Sequence, residues 1–370
     1  MEPIRVLHEV TIMNTGGIET LLMNIYRNIN REKVQFDFML HRDYAGFYDE
    51  EIKNLGGRIY SGVPFNPLRH KKYLDSLDEV FSKHKDEYKI IHAHNSFSMF
   101  TLRAAKNAGI PVRIAHSHNP KPTFDIKKSI FKRYNKYKLK DYTTHMFACS
   151  KTAGQWLFGK KAYEEGKVKI INNGIEPEKF VFNSSIRKKL RKELNIEDKF
   201  VIGHVGRFNK QKNHKFIIKV FNEVVKNQEN AVLLLIGEGE LKDKVKEEAT
   251  KLGIIDKILF LDVVPNVNEY LQAMDVFLFP SLYEGLGIVA IEAQGAGLEC
   301  VVADTVPKEA FITNHIHSLS LQDSLQNWSK EILRFNRGYE RENNSEVVKK
   351  AGYDIKEIAK NLEQFYLNCI

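Results

Sequence analysis

Short runs of β-branched and aromatic residues alternate with longer segments of helical periodicity along the chain. In the first half the runs are IRVLHEV, VQFDFML, GGRIY, YKIIHAH, VRIAHSH and HMFACS, and a segment of helical spacing follows the first run at about residues 18–28. Parallel strands need long crossover connections, which are usually helices, so this alternation is typical of a parallel sheet. The sequence therefore predicts an α/β fold.

The same alternation starts again after a polar, irregular stretch. The second series is KFVIGHVGRF, AVLLLIGEG, KILFLDVV, VFLFPS and ECVVAD, with helical spacing at 215–227 and 241–252 and a helix opening near Leu286. A chain of 370 residues also favours two domains. We expect two Rossmann-like domains facing across a cleft, at residues 1–178 and 179–350, and a final helix at 351–370.

Polar or glycine-rich residues follow six of the predicted strands. Ligands of open parallel sheets bind beyond the carboxyl ends of the strands, so these positions are the first candidates for a site. They are Gly16 and Gly17, His92 to Asn95, His116 to Asn119, Arg207, Gly237 to Gly239 with Glu238 between them, and Ser281 to Gly287.

Composition is that of a globular protein, with 43% hydrophobic and 28% charged residues. The first residues lack the pattern of a secretion signal and no apolar run is long enough to span a membrane, so the expected location is the cytoplasm.

The three cysteines are isolated and are expected to be reduced. The net charge of +9 comes from the first half of the chain, which suggests an anionic partner for that half.

The densest combination of signals lies in PSLYEGLGIVAIEAQGAG, residues 280–297. Gly285 and Gly287 permit close backbone approach, and a helix that begins here directs unpaired N–H groups at a ligand such as a diphosphate. Glu284 and Glu292 would then face a sugar ring and a ribose. From spacing alone, a glycine-broken turn with two solvated glutamates is the favoured interpretation.

This segment resembles the Glu, seven residues, Glu signature of the family-four retaining glycosyltransferases with the GT-B fold. Further family landmarks are matched, in family order, by TGGIET, INNGIEPEKF, GRFNKQKN, LLLIGEGE and AMDVFLFPS. RIAHSHN and ADTVPKEAF resemble the subgroup that assembles bacterial capsular polysaccharide or exopolysaccharide. The resemblance spans nearly the whole chain. One departure is Glu299, which stands where the family often has proline.

The resemblance implies a donor site in the second domain. Arg207 and Lys212 would stabilise the departing diphosphate, as two fixed cations can do in place of a metal. No Asp-any-Asp pair beside an apolar strand is present, so we expect no essential metal and no cofactor besides the donor. The implied donor-binding residues are Gly16, Gly17, Gly237, Glu238, Gly285, Leu286, Gly287, Glu292 and, near the base, Val264.

The resemblance also implies an acceptor side in the first domain. His116 matches the family histidine that touches the transferred sugar and counts with Glu284, Arg207 and Lys212 as a catalytic candidate, whereas His94, His118 and Asn119 are acceptor candidates. Two His-any-His pairs could alternatively bind zinc, although no Cys or carboxylate partner is evident.

Residues 127–140, KKSIFKRYNKYKLK, interleave basic and aromatic side chains. A helix of this composition suits an anionic membrane surface, and an ordinary helix with its apolar side on the core remains the alternative. No nucleic-acid-binding module accompanies it, so we expect no nucleic-acid partner.

The predicted function is transfer of a sugar, with retention, from a nucleotide-diphosphate donor to a lipid-linked or polysaccharide acceptor in cell-surface glycan synthesis. By family habit the donor is a UDP-sugar. The resemblance also implies that the last helix crosses back onto the first domain. The alternatives are a nucleotide-sugar epimerase of the same architecture and a non-catalytic partner of another transferase.

Overall fold

A computed structural model describes residues 2–42, 44–64, 70–84, 86–95, 98–118 and 126–370, with residues 70 and 126–132 described in backbone only. The chain divides into two compact units. The first unit contains Met1–Gly174 and Asp354–Ile370, and the second contains Ile175–Tyr353.

Parallel strands form one sheet in each unit of the described chain. The seven strands of the first unit are β1 Ile4–Val10, β2 Val34–Leu40, β3 Ile59–Ser61, β4 Ile90–Ala93, β5 Val112–Ser117, β6 His145–Ala148 and β7 Val168–Ile170. The six strands of the second unit are β8 Phe200–Val205, β9 Ala231–Ile236, β10 Ile258–Leu261, β11 Val276–Phe279, β12 Glu299–Ala303 and β13 Ile316–Leu319. All of β9, AVLLLI, is buried, as expected for a strand that is covered on both faces.

Helices connect these strands and cover the sheets. Their bounds are α1 Gly17–Asn28, α2 Asp49–Asn54, α3 His70–His84, α4 Ser98–Asn107, α5 Ile126–Leu139, α6 Lys151–Phe158, α7 Lys160–Glu164, α8 Pro177–Phe180, α9 Ser184–Glu193, α10 His214–Asn227, α11 Lys242–Lys251, α12 Val267–Ala273, α13 Ile288–Gly295, α14 Leu325–Leu333, α15 Ser345–Lys350 and α16 Ile355–Asn368. None of the helices in the described part of the chain is long and apolar enough to cross a membrane.

The last helix, α16, belongs to the first unit. Its side chains Ile355, Ala359, Leu362 and Tyr366 recur at helical spacing, so they form one apolar stripe. This stripe is buried in the same hydrophobic cluster as β1, β2 and α1. The expected return of the last helix to the first domain is confirmed.

The first six strands of the first sheet follow the same order as the six strands of the second sheet. It is β3-β2-β1-β4-β5-β6-β7 in the first unit and β10-β9-β8-β11-β12-β13 in the second. In each sheet the chain runs outward in one direction and then returns to continue on the other side of the first strand. Ligands bind at this reversal in doubly wound sheets. The α/β prediction with two Rossmann-like units is confirmed, and the two reversals, β1/β4 and β8/β11, are the places to look for sites.

Candidate functional site

Two loops meet at the β8/β11 reversal of the second unit. One follows β8 and leads to α10, and the other follows β11 and leads to α13. The backbone N–H of Leu282 donates to the carbonyl of Gln211 at 2.8 Å, and the Asn213 side chain donates to the carbonyl of Pro280 at 3.1 Å. These bonds fix the two loops against each other, so their side chains form one site.

Glu284 lies in the second of these loops and is buried. Lys212 Nζ lies 2.8 Å from Glu284 Oε1, and Gln211 Nε2 donates to Glu284 Oε2 at 3.0 Å. The ammonium group of Lys212 also lies 4.5 Å from the centre of the Phe279 ring. Both oxygens of the carboxylate therefore have a partner, and Lys212 is held by a carboxylate and a ring face.

Gly206 makes room for this arrangement. A Cβ at Gly206 would lie 3.1 Å from Lys212 Cδ and Cε and 2.9 Å from His204 Nε2. Because a larger residue would displace the stem of Lys212, the glycine that precedes Arg207 is part of how the lysine reaches Glu284.

Arg207 is exposed on the same loop. Its guanidinium makes no ion pair or hydrogen bond to other described residues. The backbone around it is held firmly, because Gly206 N–H donates to Ile236 O at 3.0 Å and Phe208 N–H donates to Glu238 O at 2.8 Å. A free cation on an anchored loop is suited to an anionic ligand.

The loop after β9 packs directly on this backbone. Gly237 has a positive φ of 140°, and a Cβ there would lie 2.4 Å from the carbonyl oxygen of Gly206. Glu238 is exposed and pairs with Lys242 at 2.6 Å. Val264, in the loop after β10, is half-buried. Gly237 therefore allows the two loops to pack closely, whereas the Glu238 carboxylate pairs with Lys242, the first residue of α11.

The start of α13 forms the floor of the site. The helix begins at Ile288, two residues after the predicted opening near Leu286, because Gly287 adopts the left-handed conformation with φ of 89° as its N-cap. No side chain of the described residues caps this helix. Gly285, Leu286 and Gly287 are buried, so the helix presents its positive end without a competing side chain.

Glu292 lies in the second turn of α13. Its carboxylate makes no hydrogen bond to other described residues. Burial raises the pKa of Glu292 from its usual 4.5 to about 7, and the nearby Lys212 opposes this shift. The two glutamates of the signature therefore differ: both oxygens of Glu284 have a protein partner, whereas the Glu292 carboxylate has none among the described residues.

The raised pKa predicts that Glu292→Gln stabilises the protein at alkaline pH. A carboxyl whose pKa is higher in the folded state lowers the free energy of unfolding as pH rises from about 4.5 to about 7. Removing it should raise the free energy of unfolding by about 2 kcal/mol at pH 8, allowing for partial solvation, and by little at pH 5. Denaturation of both proteins at the two pH values measures this. Glu240→Gln, an exposed site, is the control, and an equal effect of Glu292→Gln at both pH values would contradict the assignment.

In the first unit, Gly16 and Gly17 lie where β1 leads into α1. Gly16 is the N-cap of the helix, and a Cβ there would lie 2.2 Å from Glu19 Oε2. The carboxylate of Glu19 therefore lies over the start of α1. An anionic ligand at this helix start would have to displace that side chain.

Five buried histidines lie together at the ends of β1, β4 and β5. His8 Nδ1 lies 3.1 Å from His94 Nε2, and His94 Nδ1 lies 2.9 Å from His118 Nε2. His92 Nε2 lies 3.1 Å from His116 Nδ1, and His92 Nδ1 lies 2.7 Å from the Tyr366 hydroxyl of α16. We call this group of five the imidazole cluster.

Burial controls the protonation of the imidazole cluster. It lowers the pKa of His8 and of His118 to about 3 and that of His92, His94 and His116 well below the usual 6.5. Neighbouring imidazoles lower the pKa of those three further, because like charges repel. The rings are therefore neutral at physiological pH, each with one N–H donor and one nitrogen lone pair that can accept a hydrogen bond or bind a metal.

The structure brings together most of the residues that the sequence suggested. One site contains Arg207, Lys212, Glu284 and Glu292 with the glycines just before α13, Gly285 and Gly287. His94, His116 and His118 lie together in another, whereas Asn119 lies outside the described residues. Sequence reasoning missed Gln211, His8 and Tyr366. Gln211 lies within the GRFNKQKN element and could have been singled out there, but nothing in the local sequence marks His8 or Tyr366.

Two family descriptions match this chain and together cover most of it. Residues 15–179 match Glycosyltransferase Family 4, and residues 186–366 match Glycosyl transferases group 1. EpsF of Bacillus subtilis is 35% identical over 360 residues, which are 95% of this chain and 94% of EpsF.

A second relative and a solved structure add to this likeness. The UDP-Gal:alpha-D-GlcNAc-diphosphoundecaprenol alpha-1,3-galactosyltransferase of Escherichia coli is 28% identical over 265 residues, covering 69% of this chain and 67% of that protein. HepE from Anabaena, solved in complex with UDP-glucose, superposes with a TM-score of 0.81 at 18% identity over 98% of this chain and 99% of that one. That similarity extends through both units, and the two matching family descriptions with the full-length relative show that the chain belongs to the family-four, group 1 glycosyltransferases.

Proposed function

We propose that this glycosyltransferase transfers a sugar from a UDP-sugar donor to a lipid-linked or polysaccharide acceptor in cell-surface glycan synthesis. The transfer retains the configuration of the anomeric carbon. The observation that carries the proposal is the site at the β8/β11 reversal. There Arg207, whose guanidinium has no partner among the described residues, and the Lys212–Glu284 pair lie on two joined loops. Support for the donor and the acceptor comes from the E. coli relative, whose name specifies UDP-Gal and a diphosphoundecaprenol-linked sugar, and from the UDP-glucose complex of HepE.

In this proposal the donor diphosphate lies over the start of α13. The N–H groups near Gly285, Leu286 and Gly287 bind phosphate oxygens, and Arg207 and Lys212 neutralise the charge that grows as the sugar leaves. Two protein cations then do what a metal ion does elsewhere, so transfer needs no divalent metal at the diphosphate.

The other residues of the site are assigned to the sugar, the ribose and the base of the donor. Glu284, fixed by Lys212 and Gln211, orients the sugar ring and stabilises positive charge that develops on it. Glu292, which has no protein partner for its carboxylate among the described residues, accepts hydrogen bonds from the ribose. Val264 contacts the base, Gly237 and Glu238 border the phosphates, and by family resemblance Gly16 and Gly17 also approach them.

Retention follows if the acceptor hydroxyl attacks from the face that the diphosphate leaves. The new glycosidic bond forms as the bond to the diphosphate oxygen breaks, and that oxygen takes the proton of the acceptor hydroxyl. His116 contacts the transferred sugar, and His94, His118 and Asn119 contact the acceptor. These acceptor assignments rest on the family resemblance.

A panel of nucleotide sugars, with and without excess chelator, tests the function. We expect slow release of UDP from one UDP-sugar without acceptor, faster release with a lipid-linked acceptor, and an unchanged anomeric configuration in the product by NMR. Epimerisation of the donor sugar without release of UDP would identify the protein as an epimerase. Binding of UDP without turnover of any donor would identify it as a non-catalytic partner of another transferase. Loss of transfer in chelator that Mg²⁺ or Mn²⁺ restores would contradict the role of Arg207 and Lys212.

We also propose that residues 127–140 bind the anionic inner leaflet, where a lipid-linked acceptor is presented. On the described end of α5, Tyr134 and Tyr137 are 53% and 71% exposed, and Arg133 and Lys140 are exposed beside them. Aromatic rings flanked by cations suit a lipid headgroup region, where each basic residue contributes about 1 kcal/mol.

Sedimentation with vesicles checks this surface. The wild-type protein should pellet with anionic vesicles at low salt and remain in the supernatant with neutral ones or at high salt. Arg133→Glu with Lys140→Glu should weaken pelleting at least tenfold, and the control pair Lys188→Glu with Lys192→Glu, exposed on the basic helix α9, should not. Equal recovery with neutral and anionic vesicles would refute the proposal.

A further inference from the structure

The imidazole cluster is chemically unusual for the face of the sheet that it occupies. On the same face, the neighbouring strands β2 and β6 carry Phe36, Phe38 and Phe147, whose rings pack against the cluster. Phenylalanine would fill the positions of the histidines without leaving buried polar atoms. Yet His8 Nε2, His116 Nε2 and His118 Nδ1 are buried without a hydrogen-bond partner among the described residues. Unpartnered buried nitrogens cost stability, so packing alone does not account for five imidazoles.

A proton relay does not account for them either. One chain of hydrogen bonds runs from His118 through His94 to His8, and another runs from His116 through His92 to Tyr366. Both His8 and Tyr366 are fully buried. Each chain therefore ends in the core, where no solvent or substrate can take up a proton.

The geometry points to a metal site: we propose that His94, His116 and His118 bind a divalent transition-metal ion, with zinc the best match. One ring nitrogen from each of the three lies within 4.8 Å of those from the other two. Two imidazole ligands of a tetrahedral zinc lie about 3.4 Å apart, which small ring movements provide. Imidazole nitrogen suits zinc, cobalt, nickel and copper, whereas Mg²⁺ and Mn²⁺ prefer oxygen ligands.

The hydrogen bonds around the triad are those that metal-binding histidines need. If His94 binds through Nδ1, its Nε2–H donates to His8 Nδ1. If His116 binds through its unpartnered Nε2, its Nδ1–H donates to His92 Nε2, whose own Nδ1–H donates to the Tyr366 hydroxyl. Such outer contacts fix the tautomer and the ring orientation of a ligand. His8 and His92 are thus positioning residues for the triad.

A second overlapping triad, His8, His92 and His94, also brings three nitrogens together. We place the ion at His94, His116 and His118 because this triad is the less deeply buried of the two. His94 and His118 are 5% and 9% exposed, whereas His8 and His92 are at most 1% exposed. Three protein ligands leave a fourth position for water or a substrate oxygen. In the transferase proposed above, an ion at this position would contact a substrate oxygen that the three imidazoles would otherwise contact themselves. Only this consequence rests on the proposed function.

Metal analysis of the full chain, purified without a polyhistidine tag, tests the site. We expect close to one zinc per chain, visible absorption typical of tetrahedral cobalt after exchange with Co²⁺, and X-ray absorption showing three nitrogen ligands at about 2.0 Å. These measurements use the wild-type protein, so they do not depend on the folding of a variant. A chain that contains no zinc and takes up no Co²⁺ would overturn the proposal, as would X-ray absorption showing oxygen ligands only.

Variants then locate the ion. His118→Ala and His94→Ala should each abolish Co²⁺ binding, and His8→Phe should weaken it ten- to a hundredfold by loosening His94. The control His317→Ala removes a half-buried histidine of the second unit that pairs with Glu299 and Glu331, and it should leave binding unchanged. Loss of the ion in His317→Ala with retention in His118→Ala would place it elsewhere. Because the readout is bound metal, failure here leaves the transferase assay, and the function it tests, unaffected.

Discussion

Arg207→Ala should lower turnover at saturating donor by a hundredfold or more while the protein remains as stable as the wild type. The guanidinium makes no hydrogen bond or ion pair to other described residues, so its removal breaks no contact that they supply. In the proposed mechanism it meets a diphosphate whose charge grows towards the transition state, and loss of one preorganised donor costs about a hundredfold to a thousandfold in rate. Steady-state kinetics and thermal denaturation of the same preparation measure both quantities.

Lys210→Ala is the matched control for Arg207, since Lys210 is an exposed cation on the same loop. Its turnover should stay close to that of the wild type. If Arg207→Ala raised only the Michaelis constant of the donor, the guanidinium would bind the ground state and the transition state equally, and its assignment to the leaving group would be wrong.

Lys212→Ala should reduce both turnover and stability, which separates it from Arg207. The ammonium group pairs with Glu284 at 2.8 Å, and the two side chains are only 16% and 7% exposed. Removing one partner of a buried pair leaves the other charge uncompensated and costs about 3 kcal/mol. We expect that loss in the free energy of unfolding, together with a fall in turnover of a hundredfold or more.

The double variant Lys212→Met with Glu284→Gln resolves the two effects. It removes both charges and keeps the shapes, so stability should recover most of the loss while turnover stays low. Denaturant unfolding and kinetics on the single and double variants complete the cycle. Recovery of turnover along with stability would show that the pair is only structural, and equal stability of all variants would show that the pair is not formed in solution.

The sequence predicted most of the described strands and missed two short ones at the sheet edges. β7, Val168–Ile170, and β13, Ile316–Leu319, are short edge strands with largely accessible side chains. In both strands, VKI and IHSL, polar residues interrupt the apolar ones, so neither contains an apolar run to recognise. Runs such as AVLLLI in β9 are covered on both faces and were therefore visible in the sequence.

The residues of the candidate site were predictable from the sequence, but the contacts that they make with one another were not. The signature segment pointed to Glu284 and Glu292 as a pair. Nothing in their spacing indicates that Lys212 and Gln211 hold the first carboxylate, while the second has no hydrogen-bond partner in the described part of the chain. That distinction depends on the adjacency of β8 and β11, which are 70 residues apart in sequence and paired in the sheet. His8 entered the imidazole cluster for the same reason, since its register opposite His92 requires the order of β1 and β4.

The position of α16 has a consequence for the order of events during synthesis. The first unit is built from both ends of the chain, and Ile355, Leu362 and Tyr366 complete the core around β1 and β2. These residues leave the ribosome only after the whole of Ile175–Tyr353 has been made. The second unit can therefore close its own core while the nascent first unit still exposes apolar surface, so the half of the protein that is translated first is the half that finishes folding last.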